Sequence, residues 1–406
     1  MQDIHIEKPY QFVPPHRGNF LPGLVRDFNL LAYHLKTTEG VVDYEIRHIE
    51  KLRKSLDDKL GVLLTPNHCR TADPLLMGWV SREARCLVYA MASWHLFNQN
   101  WFEGWAIRIM GGFSVNREGV DRKAINTAIE VLEEGDRPLV IFPEGTTTRT
   151  NDRLHAMLDG VSFIARSAAK KRQKHEAGKV VVHPVAIKYL FQGDLRAAVD
   201  PVLEDIEHRL SWQPQSHLPL MDRIRKVGLA LLCLKELEYF DAAQKGSLHE
   251  RLVRLINRLL HPLEEEWLGT AQEGPVVPRV RALRIKIMPE MVNGELDQKE
   301  KDRRWRQLTD LYLAQQVSCY PPDYLNTEPS VDRILETVER FEEDLSDKAR
   351  IHGNLKAVID IGEPIEVSPD RDRKAKVDPL MAEIEKRLNA MLNELAAESP
   401  SYNEDK

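Results

Sequence analysis

Between residues 61 and 190 the sequence alternates short apolar runs with amphipathic segments, and this alternation constrains the fold more than any other feature. Four runs predict buried strands: "GVLL" (61–64), "CLVYAM" (86–91), "PLVIF" (138–142) and "KVVVHPVAI" (179–187). Between them, "DRKAINTAIEVLEEG" (121–135) has apolar residues at helical spacing and ends at Gly135, where a helix would stop. Strands alternating with helices predict an α/β fold with a mixed, largely parallel sheet, which binds ligands beyond the carboxyl ends of its strands.

From about residue 191 to 350 helical patterns replace the strand patterns. "SLHERLVRLINRLLHP" (247–262) opens with a capping box, Ser247 and Glu250, and is predicted to end before Pro262. "SVDRILETVERFEEDL" (330–345) has the same style, while "RVRALRIKI" (279–287) is ambiguous and the preceding proline favours a helix. We find no internal repeat, and the region predicts a helical insertion.

The end of the chain returns to an α/β pattern. "LKAVIDIGEPIEV" (355–367) alternates like a strand, and "DPLMAEIEKRLNAMLNEL" (378–395) predicts a closing helix that starts at Asp378 and Pro379. We therefore expect one α/β domain whose last strand and helix (351–395) follow the insertion (191–350), although two separate domains remain an alternative. The polar tail, 396–406, is expected to be flexible.

Composition excludes several classes of protein. The net charge of −6 gives no reason to expect nucleic acid as the main partner. The four cysteines (Cys69, Cys86, Cys233 and Cys319) form no CxxC pair, which argues against a disulfide framework and a thiolate metal site. We see no secretory signal, and the apolar run "VGLALLCL" (227–234) is far shorter than the roughly 20 residues that a spanning helix needs.

The segment "LLTPNHCRTADPLL" (63–76) carries a histidine and an aspartate five positions apart. On one helix, His68 and Asp73 would point roughly 140° apart. However, a strand ends near Pro66, and Asp73 followed by Pro74 is typical of a helix N-cap, so His68 is predicted to lie in the loop between the two elements. Alone, Asp73 could be only a cap and His68 only a surface histidine.

Three further segments follow in order: "GGFSVNRE" (111–118), "FPEGTTTRT" (142–150) and "HPVAI" (183–187). With "NHCRTAD" (67–73) they resemble the glycerophospholipid acyltransferase family of the 1-acylglycerol-3-phosphate acyltransferase type. Members carry an NHxxxxD block, a GxxFxxR-like block, a PEG block and a PVxI strand in this order and at about this spacing. The resemblance covers about residues 60–190, and "GEPIEV" (362–367) with the closing helix resembles the family's last strand and helix. It implies that residues 40–190 begin an acyltransferase domain.

The resemblance also implies roles for the site residues. His68 would accept the proton of the acceptor hydroxyl, because neutral imidazole is the usual general base near pH 7, and Asp73 would orient its ring. No protein nucleophile is needed, and Cys69 receives no role. Arg117 would grip a phosphate, Glu144 would bond an acceptor hydroxyl or cap a helix, and the Gly145 N–H is a candidate oxyanion donor. The residues expected to bind substrate are Asn67, Arg117, Glu144, Gly145, Thr146 and Arg149.

Two departures from the family pattern lie near this acceptor site. Thr147 stands where the PEG block usually has arginine, and Arg149, two positions later, is a candidate replacement. Ser114 stands where phenylalanine is common in the second block. Both changes bear on the acceptor rather than on the reaction.

The sequence thus predicts an O-acyltransferase for phospholipid biosynthesis, without cofactor or metal. The donor would be acyl-CoA or acyl carrier protein, and the acceptor a glycerol-phosphate-type lipid, 1-acylglycerol 3-phosphate first. One alternative is another acceptor, namely glycerol 3-phosphate, a lyso-phospholipid or an amino-lipid. A second is a non-catalytic lipid-binding scaffold that uses the insertion. A metal site that recruits His155 or His183 is a weaker idea.

A cytoplasmic protein peripheral to the inner face of the membrane is the expected location, and three segments bear on it. The aromatic residues Trp94, Phe97, Trp101, Phe102 and Trp105 could sit at an interface or form a core stripe. The basic run "KKRQKHEAGK" (170–179) could bind lipid head groups or coenzyme A phosphates, or be a solvated helix end. "DRIRKVGLALLCLK" (222–235) could lie on a bilayer or be a buried insertion helix.

Overall fold

A computed structural model of the chain describes residues 8–293, 296–325, 328–346, 348, 350–371, 374, 375 and 377–404. These residues form two compact units. Of the described residues, those from 8 to 190 and from 354 to 398 form the α/β unit, and those from 191 to 353 and from 399 to 404 form the helical unit.

A sheet of eight strands organises the α/β unit. The strands are β1 (Val41–Arg47), β2 (Gly61–Pro66), β3 (Tyr89–Ser93), β4 (Gly112–Val115), β5 (Leu139–Val140), β6 (Val180–Phe191), β7 (Leu355–Ile361) and β8 (Ile365–Glu366). Their order is β1-β7-β6-β2-β5-β3-β4, and β8 pairs with β6. The pairs β1–β7, β6–β2, β2–β5, β5–β3 and β3–β4 are parallel, and β8 is antiparallel to β6. The predicted largely parallel sheet is confirmed.

Helices cover this sheet and build the other unit. Those of the α/β unit are α1 (Phe20–Asp27), α2 (Leu30–Thr38), α3 (Ile49–Asp57), α4 (Asp73–Glu83), α5 (Trp101–Ile109), α6 (Arg122–Glu134), α7 (Gly160–Lys174) and, after the helical unit in sequence, α14 (Pro379–Ala396). Those of the helical unit are α8 (Leu195–Arg209), α9 (Leu220–Phe240), α10 (Leu248–Leu268), α11 (Val276–Asn293), α12 (Gln298–Ser318) and α13 (Val331–Ser346). Apolar side chains of α6, α7 and α14 pack on the sheet in one buried cluster.

One strand was missed, and two predicted strands need correction. Strand β1 was not predicted. Strand β3 begins at Tyr89 rather than at Cys86, because Cys86 stays bonded to the end of α4. The Cys86 N–H donates to the Ser81 carbonyl oxygen at 3.1 Å, and the Ser81 hydroxyl donates to the Cys86 carbonyl oxygen. The segment 355–367 forms two strands, since the chain turns after Ile361 and β8 pairs antiparallel with β6.

Several helix predictions are confirmed and others are wrong. Gly135, in a left-handed conformation, ends α6, and the capping box of Ser247 and Glu250 starts α10. Helix α10 nevertheless continues through Pro262 to Leu268, and the ambiguous segment 279–287 lies within α11.

The aromatic segment and the tail also differ from expectation. A 3-10 helix (Trp94–Phe97) and α5 divide the aromatic residues, so they do not form one stripe. Helix α14 runs to Ala396, inside the tail expected to be flexible. Beyond it, Ser401 pairs with Ser330 in an antiparallel bridge, and the Tyr402 N–H donates to the Pro329 carbonyl oxygen at 2.9 Å.

The helical unit contains an internal repeat that the sequence reading missed. The same contact occurs three times: a buried glutamate near the end of one helix accepts two hydrogen bonds from an arginine that is the fourth residue of the next helix. The arginine Nε and Nη2 atoms lie 2.7–3.0 Å from the glutamate oxygens. The same glutamate accepts the backbone N–H of a glutamine eight positions later, at 2.9–3.0 Å. The sets are Glu207, Gln215 and Arg223; Glu236, Gln244 and Arg251; and Glu264, Gln272 and Arg279. The expectation of no internal repeat is therefore wrong. The repeat is hard to see in the sequence because only these polar positions recur, while the apolar residues between them change.

Candidate active site at the carboxyl edge of the sheet

The loop 67–72 joins β2 to α4 and carries the predicted base, His68. All six residues of β2 are buried, and its neighbours are β5 and β6, both parallel to it. The segments that follow β2 and β5 therefore leave the sheet at the same edge. This common edge brings His68 close to the PEG block (143–145).

His68 and Asp73 form the predicted pair. His68 Nδ1 lies 2.8 Å from Asp73 Oδ2; the Asp73 side chain is fully buried, and that of His68 is 14% exposed. Because a carboxylate only accepts, the hydrogen-bond network places the proton on Nδ1 and leaves the lone pair on Nε2. Asp73 is the first residue of α4, and the N-cap is Ala72, so the predicted cap is off by one residue. The Asp73 carboxylate also accepts the Arg70 N–H at 2.9 Å.

The second oxygen of Asp73 has a partner that the sequence reading missed. The Tyr189 hydroxyl, on β6, donates to Asp73 Oδ1 at 2.5 Å, and the Cys69 sulfur lies 3.8 Å from the same oxygen. Tyr189 lies two residues beyond Ile187, the end of the PVAI block, and so on the same face of β6. Strand alternation beyond the block was the signal that could have identified it.

Glu144 is buried beneath the loops rather than open to a ligand. It is 1% exposed, and its two oxygens accept the backbone N–H groups of His68 at 2.7 Å and His155 at 2.8 Å. Burial raises the pKa of Glu144 to about 8, against the opposing effect of the two N–H donors. In this geometry the Glu144 side chain fixes the backbone of His68, and its contact with the acceptor stays a prediction.

Asn67 likewise fixes backbone. Its amide oxygen accepts the Ile187 N–H at 2.7 Å, and its amide nitrogen donates to the Ile187 carbonyl oxygen at 3.0 Å. Asn151, which the sequence reading missed, makes the same double contact with Tyr189, at 2.7 and 2.6 Å. Both amides are engaged with backbone in this way, and a role of Asn67 in binding substrate stays a prediction.

The loop that follows Glu144 lies against the base. The Gly145 N–H donates to the Phe142 carbonyl oxygen at 3.2 Å, in a turn with φ of +69° at Gly145, and its role as an oxyanion donor stays a prediction. The Thr147 hydroxyl oxygen lies 3.5 Å from His68 Nε2. The Arg149 N–H donates to the Cys69 carbonyl oxygen at 3.0 Å, and Thr146 is half-buried in the same loop.

Arg117 follows β4 and is half-buried. Strand β4 is three positions from β2 in the sheet, or about 14 Å at the usual strand spacing. Its loop is held at Asp121, whose Oδ2 accepts the Asn116 N–H at 2.9 Å and the hydroxyl of Tyr10. Arg117 thus lies at the same edge as His68, but along the sheet from it.

Ser114, the departure in the second block, now has a structural reason. Its hydroxyl oxygen accepts the Val13 N–H at 2.8 Å, and its own N–H donates to the Val13 carbonyl oxygen at 3.0 Å. Ser114 is fully buried by this contact. A serine here attaches the N-terminal segment to the outermost strand, β4.

The basic run 170–179 lies away from the site, because α7 ends just before β6 begins, at the amino edge of the sheet. Arg172 is buried and donates to the carbonyl oxygens of Lys59 and Glu133 at 2.5 and 2.7 Å. Lys171 pairs with Glu133 at 2.8 Å. The run is therefore a helix end at the edge opposite to His68, not a site for coenzyme A phosphates beside it.

The proposed metal ligands are engaged elsewhere. His183 is buried between the Ser55 hydroxyl and the Gly362 carbonyl oxygen, each at 2.9 Å, and His155 Nε2 lies 3.0 Å from the Thr150 hydroxyl. Within the described ranges, no group of three or more histidine, cysteine, aspartate or glutamate side chains is arranged to hold a metal ion. Across the same part of the chain, no helix combines the length and apolarity needed to cross a bilayer.

Part of the chain is similar to known acyltransferases. Residues 43–188 match the family model described as Acyltransferase. A segment of 111 residues is 33% identical to the 1-acyl-sn-glycerol-3-phosphate acyltransferase of Streptococcus pneumoniae (strain ATCC BAA-255 / R6). That match covers 27% of this chain and 39% of the streptococcal protein. The family match, 43–188, includes His68, Asp73 and Glu144 and ends before the helical unit begins at residue 191.

Proposed function

Because residues 43–188 match the acyltransferase family model, we propose that this protein transfers a fatty acyl group from a thioester to a lipid hydroxyl. The donor would be acyl-CoA or acyl carrier protein, and the acceptor 1-acylglycerol 3-phosphate, in phospholipid biosynthesis. The observation that carries the proposal is the His68–Asp73 pair, with Nδ1 bonded to a buried carboxylate and the Nε2 lone pair left as a base.

The reaction follows from this arrangement. His68 Nε2 takes the proton of the acceptor hydroxyl while its oxygen attacks the thioester carbonyl carbon. Asp73 stabilises the resulting imidazolium. The tetrahedral intermediate collapses, the carbon–sulfur bond breaks, and the imidazolium returns the proton to the leaving sulfur. An ester and a free thiol result, and no acyl-enzyme is required.

Arg117 and Arg149 are the proposed ligands of the acceptor's phosphate. Arg117 follows β4 at the same sheet edge as His68, and Arg149 lies in the loop whose backbone bonds Cys69. Thr147, in the position of the family's arginine, instead places a hydroxyl 3.5 Å from His68 Nε2. The threonine at this position motivates the alternative of a different acceptor, namely glycerol 3-phosphate, another lyso-phospholipid or an amino-lipid.

We also propose that the α/β unit contacts a membrane surface. Trp101, Phe102 and Trp105 of α5 are 82%, 57% and 46% exposed, which argues against the core stripe that the sequence left open. Exposed aromatic residues are typical of proteins that rest on the bilayer interface. Helix α5 follows the carboxyl end of β3, so its start lies near the edge that carries His68.

Thiol release from palmitoyl-CoA tests the proposal and identifies the acceptor. The purified protein is assayed without acceptor, with glycerol 3-phosphate, with 1-acylglycerol 3-phosphate and with a lyso-phospholipid that has a neutral head group. Release that requires 1-acylglycerol 3-phosphate supports the proposal. Release without any acceptor would make the protein a thioesterase, and a preference for the neutral lyso-phospholipid would overturn the assigned acceptor. If palmitoyl-CoA gives no thiol, the same set of acceptors is tested with palmitoyl-acyl carrier protein. Release from this donor identifies the carrier protein as the acyl donor, and no release supports a non-catalytic scaffold.

A further inference from the structure

Asp73 is held by donors on both of its oxygens. Oδ2 accepts from His68 Nδ1 at 2.8 Å and from the Arg70 N–H at 2.9 Å, and Oδ1 accepts from the Tyr189 hydroxyl at 2.5 Å. We propose that Tyr189 is a positioning residue: its hydrogen bond to Asp73 weakens the stabilisation of the His68 imidazolium by the carboxylate and so keeps His68 available as a base. This inference rests on the proposed role of His68.

Both the backbone and the ring of Tyr189 have partners in the structure. Asn151 bonds both the N–H and the carbonyl oxygen of Tyr189, and the Arg70 guanidinium carbon lies 5.4 Å from the centre of the phenol ring. Tyr189 is 1% exposed. Burial raises its pKa well above the ordinary value, and the charge of Asp73 adds to this effect, so the hydroxyl remains a donor throughout the working pH range.

The effect on His68 follows from the charge of the carboxylate. A donor on Oδ1 disperses the negative charge that would otherwise stabilise the imidazolium through Oδ2. Without the phenol, the imidazolium would be more stable and His68 would remain protonated to a higher pH. Since only neutral imidazole can accept the acceptor's proton, the phenol extends activity toward lower pH. Titratable or charged groups that face the pair include Cys69 and Arg70 around Asp73, and Glu144 at the His68 backbone.

The test compares Tyr189→Phe with Tyr324→Phe. Tyr324 is a matched control in the helical unit, because its buried hydroxyl also donates to a carboxylate, Glu336 Oε2, at 2.6 Å. Two readouts are recorded: the acid limb of the pH profile of kcat/KM, and the NMR titration of the His68 ring in protein with 13C-labelled histidine, assigned with His68→Gln. In Tyr189→Phe both midpoints should rise by about 0.5–1 pH unit, and in Tyr324→Phe neither should move.

A loss of activity by the same factor at every pH, with an unmoved His68 titration, would overturn the inference and leave Tyr189 a packing role. Absence of acyltransferase activity in the unmodified protein would instead refute the proposed function, and the NMR titration would still decide whether Tyr189 acts on His68. If Tyr189→Phe fails to fold, 3-fluorotyrosine at position 189 provides the opposite test. Its more acidic hydroxyl is a stronger donor, so the His68 midpoint should fall, and a rise would contradict the inference.

Discussion

Replacing Glu144 by glutamine should change how the stability of the protein depends on pH. Both oxygens of Glu144 accept buried backbone N–H groups, at 2.7 and 2.8 Å, whereas glutamine offers one acceptor oxygen. In Glu144→Gln, one of these donors must face the amide NH2 group. A buried donor without an acceptor costs about 1–3 kcal/mol, so the variant should be less stable than the parent at pH 5.

The sign of the pH dependence comes from the raised pKa of Glu144. The folded protein holds this proton up to about pH 8, while the unfolded chain releases it near pH 4.5. The contribution of this proton to the free energy of unfolding is complete below pH 4.5 and is lost as pH rises through 8. At about 1.4 kcal/mol per pH unit, the parent loses about 3–4 kcal/mol between pH 5 and pH 8 from this group, and the glutamine variant loses none of it.

Urea unfolding followed by tryptophan fluorescence at pH 5, 6, 7 and 8 measures the effect. The stability difference between the two proteins should shrink with pH and vanish or reverse by pH 8. Glu130→Gln, at an exposed position of α6, is the control and should give a constant difference near zero. A constant gap between parent and Glu144→Gln at all four values would refute the assignment of a proton to Glu144 in the folded protein.

Two further substitutions test the acceptor loop and the helical unit. Tyr10→Phe removes a donor that holds the loop carrying the predicted phosphate ligand, so the KM for the acceptor should rise about 3–10-fold, at about 1 kcal/mol per lost hydrogen bond, while the KM for the donor stays constant. The control is Tyr33→Phe, because Tyr33 is 77% exposed. If steady-state kinetics showed that Tyr10→Phe raises the KM values for acceptor and donor together, this account would be contradicted. Glu207→Gln removes the carboxylate that accepts two hydrogen bonds from the buried Arg223, which keeps its ion pair with Asp200 at 2.9 Å, and should destabilise the protein by about 1.5–3 kcal/mol. Asp205→Asn, in an exposed pair, should cost less than about 1 kcal/mol, and equal losses in urea unfolding would argue against the repeat as a stabilising element.

The parts of the fold that rest on apolar periodicity could be predicted from the sequence. Strands β2 and β6 and helix α6 read directly, because each buries a regular set of side chains. Strand β1 could not be identified, since five of its seven residues are only partly buried and its run "VVDYEIR" mixes charged with apolar residues. The helix repeat was missed for a related reason: its recurring positions are a glutamate, a glutamine and an arginine, which look like surface residues in a sequence.

The candidate site divides in the same way. His68 and Asp73 could be paired from their spacing because both lie in one short segment between a strand and a helix. Glu144 and Asn67 were placed against the substrate, yet each is bonded to backbone that only the folded sheet brings near. Tyr189 was missed because its contact with Asp73 spans 116 residues and depends on β6 lying beside β2.

The measurement that tests the central claim most directly is the rate of acceptor-dependent thiol release by the parent and by His68→Ala. His175→Ala, at an exposed histidine, serves as the control. A positioned general base contributes about 10²–10⁴-fold, so His68→Ala should lose at least about 10²-fold in kcat while circular dichroism shows an unchanged fold. If His68→Ala releases thiol at the parent rate, the acceptor is deprotonated by another group and the account of this site is wrong.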